Sequence, residues 1–385
     1  MSGKARATSP TPETETPAKA HSTGILPDRE IAALIADGAI AAEGGVDAAQ
    51  IQPASLDLRL GPVAYRVRSS FLTGPGRTVS DAVARLGMHE IPLTGGAVLE
   101  RGCVYIVPLK ERLDLSRDLS ALANPKSSTG RLDIFTRVIT DQGAEFDRVR
   151  TGYAGPLYAE ISPRAFSVVV REGSRLSQLR LKRGTPAPSE KALRALHREI
   201  GLVDRDLEAD ERLTRGVYLT VDLLGAGGGG PIGYKARRHT GLVDVDKTGH
   251  YAIADFWEPI AAGEDGLILN PDDFYILASK EAVTVPADWA AEMVAYDTLV
   301  GEFRVHYAGF FDPGFGLDAA GSAGARAVLE VRSHDVPFLV EHGQTVGSLS
   351  YERLTGPPDS LYGAGIGSSY QDQGLALSKH FKPPR

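Results

Sequence analysis

Apolar and polar residues in this chain alternate more often than they recur at helical spacing. In IQPASLDLRLG, Ile51 to Gly61, Leu56, Leu58 and Leu60 point one way and Asp57 and Arg59 the other, the period-two pattern of a half-buried strand. Short apolar runs bounded by Gly, Pro or Asn follow at VYIVPL (104–109), DIFTRVI (133–139), PLYAEIS (156–162) and FSVVV (166–170). They predict a mainly β fold, a barrel or sandwich. Two stretches break the pattern. Asp28 is placed to cap a helix whose Ile31, Leu34 and Ile35 share one face. Ser189 to Arg215 is charged, helical in period and free of Gly except Gly201, which predicts a helical connector. Strand signals resume at VYLTVDLL (217–224) and run to YERL (351–354). Residues 1–23 hold no large apolar side chain beyond Met1 and are rich in Pro, Thr, Glu and Lys, the composition of a disordered tail.

The pattern repeats. A gapless shift of 170 residues lays VLERGCVYIVPLKE (98–111) over ILNPDDFYILASKE (268–281), pairing Leu99 with Leu269, Tyr105 with Tyr275 and Glu111 with Glu281. The same shift pairs Glu160 with Glu330, Gly173 with Gly343 and Leu179 with Leu349. One offset held across separated blocks identifies two copies of one β domain. The organisation expected is a tail (1–23), a first domain (24–185), a connector (186–216), a second domain (217–358) and a C-terminal segment (359–385).

Composition narrows the chemistry. The 43 Gly and 24 Pro against 7% aromatics suit many turns and short strands. Cys103 is the single cysteine, which excludes a disulfide framework and zinc sites built on two or more thiolates. A formal charge of −7 argues against a general nucleic-acid binder while leaving room for local phosphate pockets. With no apolar leader near the N-terminus and no run of 18 apolar residues, the expectation is a cytoplasmic protein without membrane or nucleic-acid partners.

Two copies that keep a fold but divide a site should differ where function lies. The first copy carries KSSTGR, Lys126 to Arg131, where small hydroxyl residues and backbone N–H groups between two cations can wrap phosphate oxygens. The same six residues also suit an ordinary polar turn. At the aligned positions the second copy reads YDTLVG, Tyr296 to Gly301, without serine or arginine. It carries instead HYAGFFDPGFG, His306 to Gly316, a hairpin tip whose backbone can read a base edge and whose Asp312 can meet a sugar hydroxyl, though Asp-Pro-Gly is strong turn chemistry by itself. The matching part of the first copy, Asp141 to Gly155, is rebuilt. Glu160 and Glu330 each sit in an apolar strand, where a carboxylate is paired, functional or turned outward.

In order, IQPASLDLRLG, KSSTGR, YAGFFDPGFG, a strand Glu, GQTVGSLSYERL and the tail SSYQDQGLALSKHF resemble the dCTP deaminase family of the trimeric dUTPase-like fold, in a double-length form covering nearly all of residues 50–380. The resemblance implies two tandem dUTPase-like distorted β-barrel, jelly-roll-like domains. It also implies zinc-free hydrolysis of dCTP to dUTP and ammonia, with Mg²⁺ bound through the triphosphate, dTTP as a possible feedback inhibitor and a trimer of two-domain chains. By the family's pattern Ser127 and Arg131 hold the reacting water beside the strand Glu, and motifs from different domains meet in one pocket. The expectation is a composite site: Lys126, Ser127, Ser128 and Arg131 from the first domain, Ala308, Asp312 and Glu330 from the second, with Glu330 as the general base and Glu160 as the alternative base. The tail reads as a lid in which Tyr370 covers the nucleotide and Gln371, Gln373 and Lys379 reach phosphates.

Two departures from the family stand out. Lys126 replaces the usual Arg, keeping charge but losing the bidentate fork, and the first domain is longer than the family's hairpin between Arg131 and Gly152. Alternatives are a dUTP pyrophosphatase, an enzyme doing both reactions, and a non-catalytic nucleotide-binding regulator. His306 shows no metal-ligand spacing, and Gly227 to Gly230 lacks the Lys-Ser/Thr of a phosphate loop.

Overall fold

A computed structural model describes residues 21–185, 189–208, 210, 213, 216–225, 230–263, 265–294, 303–306, 309–317, 324–333, 336–363 and 374–383. The chain is mainly β. In its first half one six-stranded sheet runs Arg148–Val149, Leu119–Pro125, Arg175–Arg183, Ser55–Arg59, Ile51–Gln52, with Gly24–Ile25 on Arg175–Arg183. The facing sheet runs Ile134–Thr140, Ala154–Pro163, Val104–Asp114, Val63–Val67, Gly87–Pro92, with Ile40–Ala42 on Val104–Asp114. Their apolar faces meet over Leu58, Val107, Ala123, Ile161 and Leu179, all fully buried. The second half repeats the plan with a four-stranded sheet (Val217–Thr220, Thr345–Arg353, Trp289–Val294, Phe310–Phe311) and a five-stranded one (Trp257–Ile260, Gly233–Ala236, Phe274–Val283, Ala325–Ser333, Phe303–His306).

The 170-residue shift is visible in the hydrogen bonds. The backbone N–H of Glu100 donates to the Tyr105 hydroxyl at 3.0 Å, and that of Asn270 to the Tyr275 hydroxyl at the same distance. Glu111 accepts from the Arg59 N–H, and Glu281 from the Thr220 N–H, both at 2.8 Å. Gly173 and Gly343, each left-handed at φ 85° and 78°, return their N–H to Leu60 and Val221 at 2.8 and 2.9 Å.

The halves share a core. Val243–Asp244 pairs in parallel with Val168–Val170 of the first half. Phe166 packs edge-on against Phe256 and Trp257 at 5.5 and 5.4 Å, and Phe381 closes on Trp257 at 5.9 Å. This aromatic seam ties the last described residues to both halves.

Several expectations shift. The first helix, Asp28–Ala36, is preceded by Pro27 rather than capped by Asp28. The Asp28 carboxylate instead accepts the backbone N–H groups of Asp359 and Ser360 at 2.8 and 2.9 Å, which the next-turn pattern does not reveal. Asp57 is buried with its leucine neighbours, because Lys126 neutralises it, so this strand is covered on both faces. The α-helix of the connector covers Glu190–Ile200, where Ser189 caps the start and Gly201, at φ 77°, ends it; Leu202 and Leu207 then turn into the second core. Of the expected tail, residues 21–23 are described, and the His21 N–H donates to the Thr355 carbonyl at 2.7 Å. Among the described residues no helix is long and apolar enough to cross a membrane.

Candidate active site

The strand Leu119–Pro125 delivers the KSSTGR segment. Pro125 ends the sheet pairing, Lys126 stays extended, and Ser127–Gly130 forms one helical turn. Thr129 and Gly130 donate their N–H groups to the Lys126 carbonyl at 2.8 and 2.9 Å, and Arg131 donates to that of Ser127 at 3.0 Å. Ser128, Thr129 and Gly130 are buried and Ser127 half-buried, so the turn sits against the core.

On one side of this turn lies Glu330. Its carboxylate Oε1 is 4.0 Å from Nε of Arg131, and both side chains are buried. Arg131 also donates from Nη1 to the carbonyl of Ala376 at 3.1 Å. Burial pushes the Glu330 carboxyl up to about 8; Arg131 pulls it down and Asp133 adds to the upward push. A carboxyl so placed exchanges a proton near neutral pH.

On the other side is a band of charge. Lys126 is salt-bridged to Asp57, and Nη1 of Arg175 stands 3.9 Å from the same carboxylate. Burial holds the Lys379 ammonium below its usual range, and the like charge of Lys126 adds to this. Asp312 pairs with Arg180 Nη2 at 2.9 Å; burial pushes its carboxyl up while Arg180 opposes. Arg180 also donates to the Ala291 carbonyl at 2.9 Å and lies 4.0 Å from the centre of the Phe310 ring. The Asp-Pro-Gly hairpin of the second half is therefore fastened to the first half beside the turn.

The C-terminal segment closes over the same place. Ser378 Oγ–H donates to the Ser128 carbonyl at 2.8 Å, and the His380 ring lies between Ser378 Oγ and the Val245 carbonyl, 2.8 Å from each.

Glu160 has a different setting. Arg137 on the neighbouring strand grips it at 2.5 and 3.2 Å, and Phe146 and Phe135 lie 3.4 and 4.5 Å from that guanidinium. The strand Ile134–Thr140 supplies Phe135 and Arg137 and the rebuilt segment Asp141 to Gly155 supplies Phe146, so this region of the first half is filled. Ala308, Tyr370, Gln371, Gln373 and the segment from Tyr296 to Gly301 lie outside the described residues. Sequence reasoning missed Asp57, Asp133, Arg180 and Arg332. The signal was there, since each is a charge inside or beside an apolar strand, the feature that singled out Glu330.

Family models of the 2'-deoxycytidine 5'-triphosphate deaminase N-terminal and C-terminal domains match residues 22–185 and 189–381. The chain belongs to the dCTP deaminase family. A crystal structure of 2'-deoxycytidine 5'-triphosphate deaminase from Agrobacterium tumefaciens superposes with a TM-score of 0.83 and 57% identity, covering 87% of this chain and all of that one. Curated relatives are more distant. The "dCTP deaminase, dUMP-forming" of Halobacterium salinarum is 35% identical over 120 residues, 30% of this chain and 57% of that protein. That of Streptomyces coelicolor is 32% identical over 124 residues, 31% of this chain and 61% of that protein. The chain thus spans little more than half the length of the curated relatives it matches.

Proposed function

We propose that this protein hydrolyses the exocyclic amine of dCTP, giving dUTP and ammonia, and so acts as a hydrolase on the C–N bond of a cyclic amidine. The observation that carries the reading is the buried Arg131–Glu330 neighbourhood, where a proton-exchanging carboxyl from the second half meets the hydroxyl turn of the first. Ionised Glu330 takes a proton from water as its oxygen bonds to cytosine C4. It returns that proton to N3, and then moves one from the new hydroxyl to the departing amine. The C4–N bond breaks with its electron pair on nitrogen, leaving C4=O. Ser127 and Arg131 orient the water, and general acid–base transfer of this kind contributes roughly 10² to 10⁴ in rate. Glu160, already bound to Arg137, takes no part.

Lys126, Ser128, Arg175 and Lys379 meet the triphosphate, and Mg²⁺ arrives on the nucleotide as part of the substrate. Asp312 serves the sugar from its seat against Arg180. Each half is read as a dUTPase-like barrel, with domains at 24–185 and 217–358, a connector at 186–216 and a lid at 359–385, and three chains as the assembly.

The names of the curated relatives favour a second reading, in which dUTP is carried on to dUMP and pyrophosphate. Incubation with dCTP and Mg²⁺, followed by product identification, separates the readings. Ammonia with dUTP supports the first and ammonia with dUMP the second. Tight nucleotide binding without ammonia would leave a non-catalytic regulator.

A further inference from the structure

Around the turn a second buried pair crosses between the halves. Arg332 Nη2 is salt-bridged to Asp133, and both are nearly inaccessible, at 4% and 1% exposure. Asp133 stands two residues after Arg131, and Arg332 two residues after Glu330. On a strand that spacing puts Glu330 and Arg332 on the same face. The turn therefore presents plus then minus, and the strand minus then plus. In this orientation unlike charges meet at both positions, whereas the reversed orientation would oppose Arg131 to Arg332 and Asp133 to Glu330.

The surroundings hold both partners of this pair in place. Asp133 is left-handed at φ 55°, a conformation Asp tolerates, and its N–H donates to Gly130 while its carbonyl accepts from the Arg164 N–H, each at 2.8 Å. Arg332 donates to the Asp272 carbonyl and lies 5.8 Å from the centre of the Phe274 ring. By contrast, the 4.0 Å approach of Arg131 to Glu330 is outside direct hydrogen-bond range and does not lock those two groups by itself.

We infer that Asp133 and Arg332 are a positioning pair, which sets the register of the hydroxyl turn on the Glu330 strand and balances the charge felt by the Glu330 carboxyl. The inference rests on Glu330 as the base of the proposed deamination. The charged groups that act on that carboxyl are Arg131 and Asp133 from the turn, with Arg332 engaged by Asp133 two residues further along its own strand; the flanking strands bring Ile276 and His306 to its register position.

The test uses Asp133→Asn, Arg332→Gln and the double variant in the full chain, with thermal unfolding to confirm folding. Asp133→Asn takes a negative charge from beside the Glu330 carboxyl and should move the acid limb of the kcat/KM profile down by about one pH unit; Arg332→Gln takes away the positive charge that balances Asp133 and should move it up by a similar amount. The double variant should return the limb toward its starting place while kcat stays at least tenfold low and KM changes little. Arg332→Lys should recover part of kcat. A direct titration of the Glu330 carboxyl by ¹³C NMR, its resonance assigned by loss in Glu330→Gln, reads the same shifts without turnover. Shifts of the same sign, or none, with folding intact would overturn the pairing role. An active Glu330→Gln alongside opposite NMR shifts would instead remove Glu330 as the base and leave the electrostatic role of the pair standing.

Discussion

Replacing Glu330 by Gln keeps the shape of the side chain and removes its titration, and the surroundings of the carboxyl set the size of the effect at each pH. With the carboxyl at about 8, roughly one molecule in ten carries the ionised base at pH 7 and nine in ten at pH 9. For the unaltered protein kcat/KM should climb nearly tenfold per pH unit between 6 and 7 and level off above 8. Glu330→Gln should lose about 10² to 10⁴ in kcat and show no such limb. Stability should move the other way. The folded protein holds this proton more tightly than the unfolded chain, so the group favours folding at low pH, and that advantage is lost as pH rises from 4.5 through about 8. The interval of about 3.5 pH units bounds the penalty on the order of 5 kcal/mol, at ~1.4 kcal/mol each. Arg131 loses its counter-charge in the variant, so a net gain of about 1–3 kcal/mol is expected at pH 9 and none at pH 4. Melting curves at pH 4, 7 and 9, paired with ammonia release across the same range, measure both effects. A variant that melts lower at pH 9, or a wild-type profile flat from pH 6 to 9, would refute the reasoning.

Glu160→Gln should retain turnover, whereas Arg137→Ala, which strands a buried carboxylate, should cost about 3–5 kcal/mol in chemical denaturation. Ser378→Ala removes one contact to the hydroxyl turn, worth about 1 kcal/mol, and should raise the KM for dCTP about fivefold with kcat nearly unchanged in steady-state assays. Lys126→Ala should raise the same KM more than tenfold, the loss shrinking at high salt, because it removes charge from the phosphate side and leaves Asp57 behind. Removing everything after Pro358 should also lower the melting temperature, since Phe381 leaves the shared core; a melting temperature equal to the full chain's would contradict that packing.

Much of this architecture was legible because apolar alternation and a fixed offset are properties of neighbouring residues. Tyr105 and Tyr275 fall at one spacing and make one hydrogen bond, so the repeat could be read before the sheets were seen. The strands carrying Glu160 and Glu330 follow from the same alternation, whereas the meeting of Arg131 with Glu330 follows from the family resemblance, which joins the motifs divided between the copies. What stayed hidden depends on chain segments far apart. Asp57 reads as a solvent-facing residue until Lys126 is placed beside it, and Asp28 reads as a helix cap until residues 359 and 360 arrive. Arg180 and Arg332 lie in otherwise buried strands and make sense only once the opposite half supplies Asp312 and Asp133. The helix of the connector stops at the left-handed Gly201, and the chain beyond it buries Leu202 and Leu207 in the second core, a destination no local pattern reveals.

The aromatic seam of Phe166, Trp257 and Phe381 has a bearing on how the protein is made. On the ribosome the first half can collapse early, but Arg131 waits for the carbonyl of Ala376 and the seam waits for Phe381. Contacts across 245 residues form late, because the intervening chain must first be ordered. A nascent chain released before that point would carry the hydroxyl turn, the glutamate and an open seam together. Closing the seam and anchoring Arg131 thus depend on one short stretch of chain, from Ala376 to Phe381.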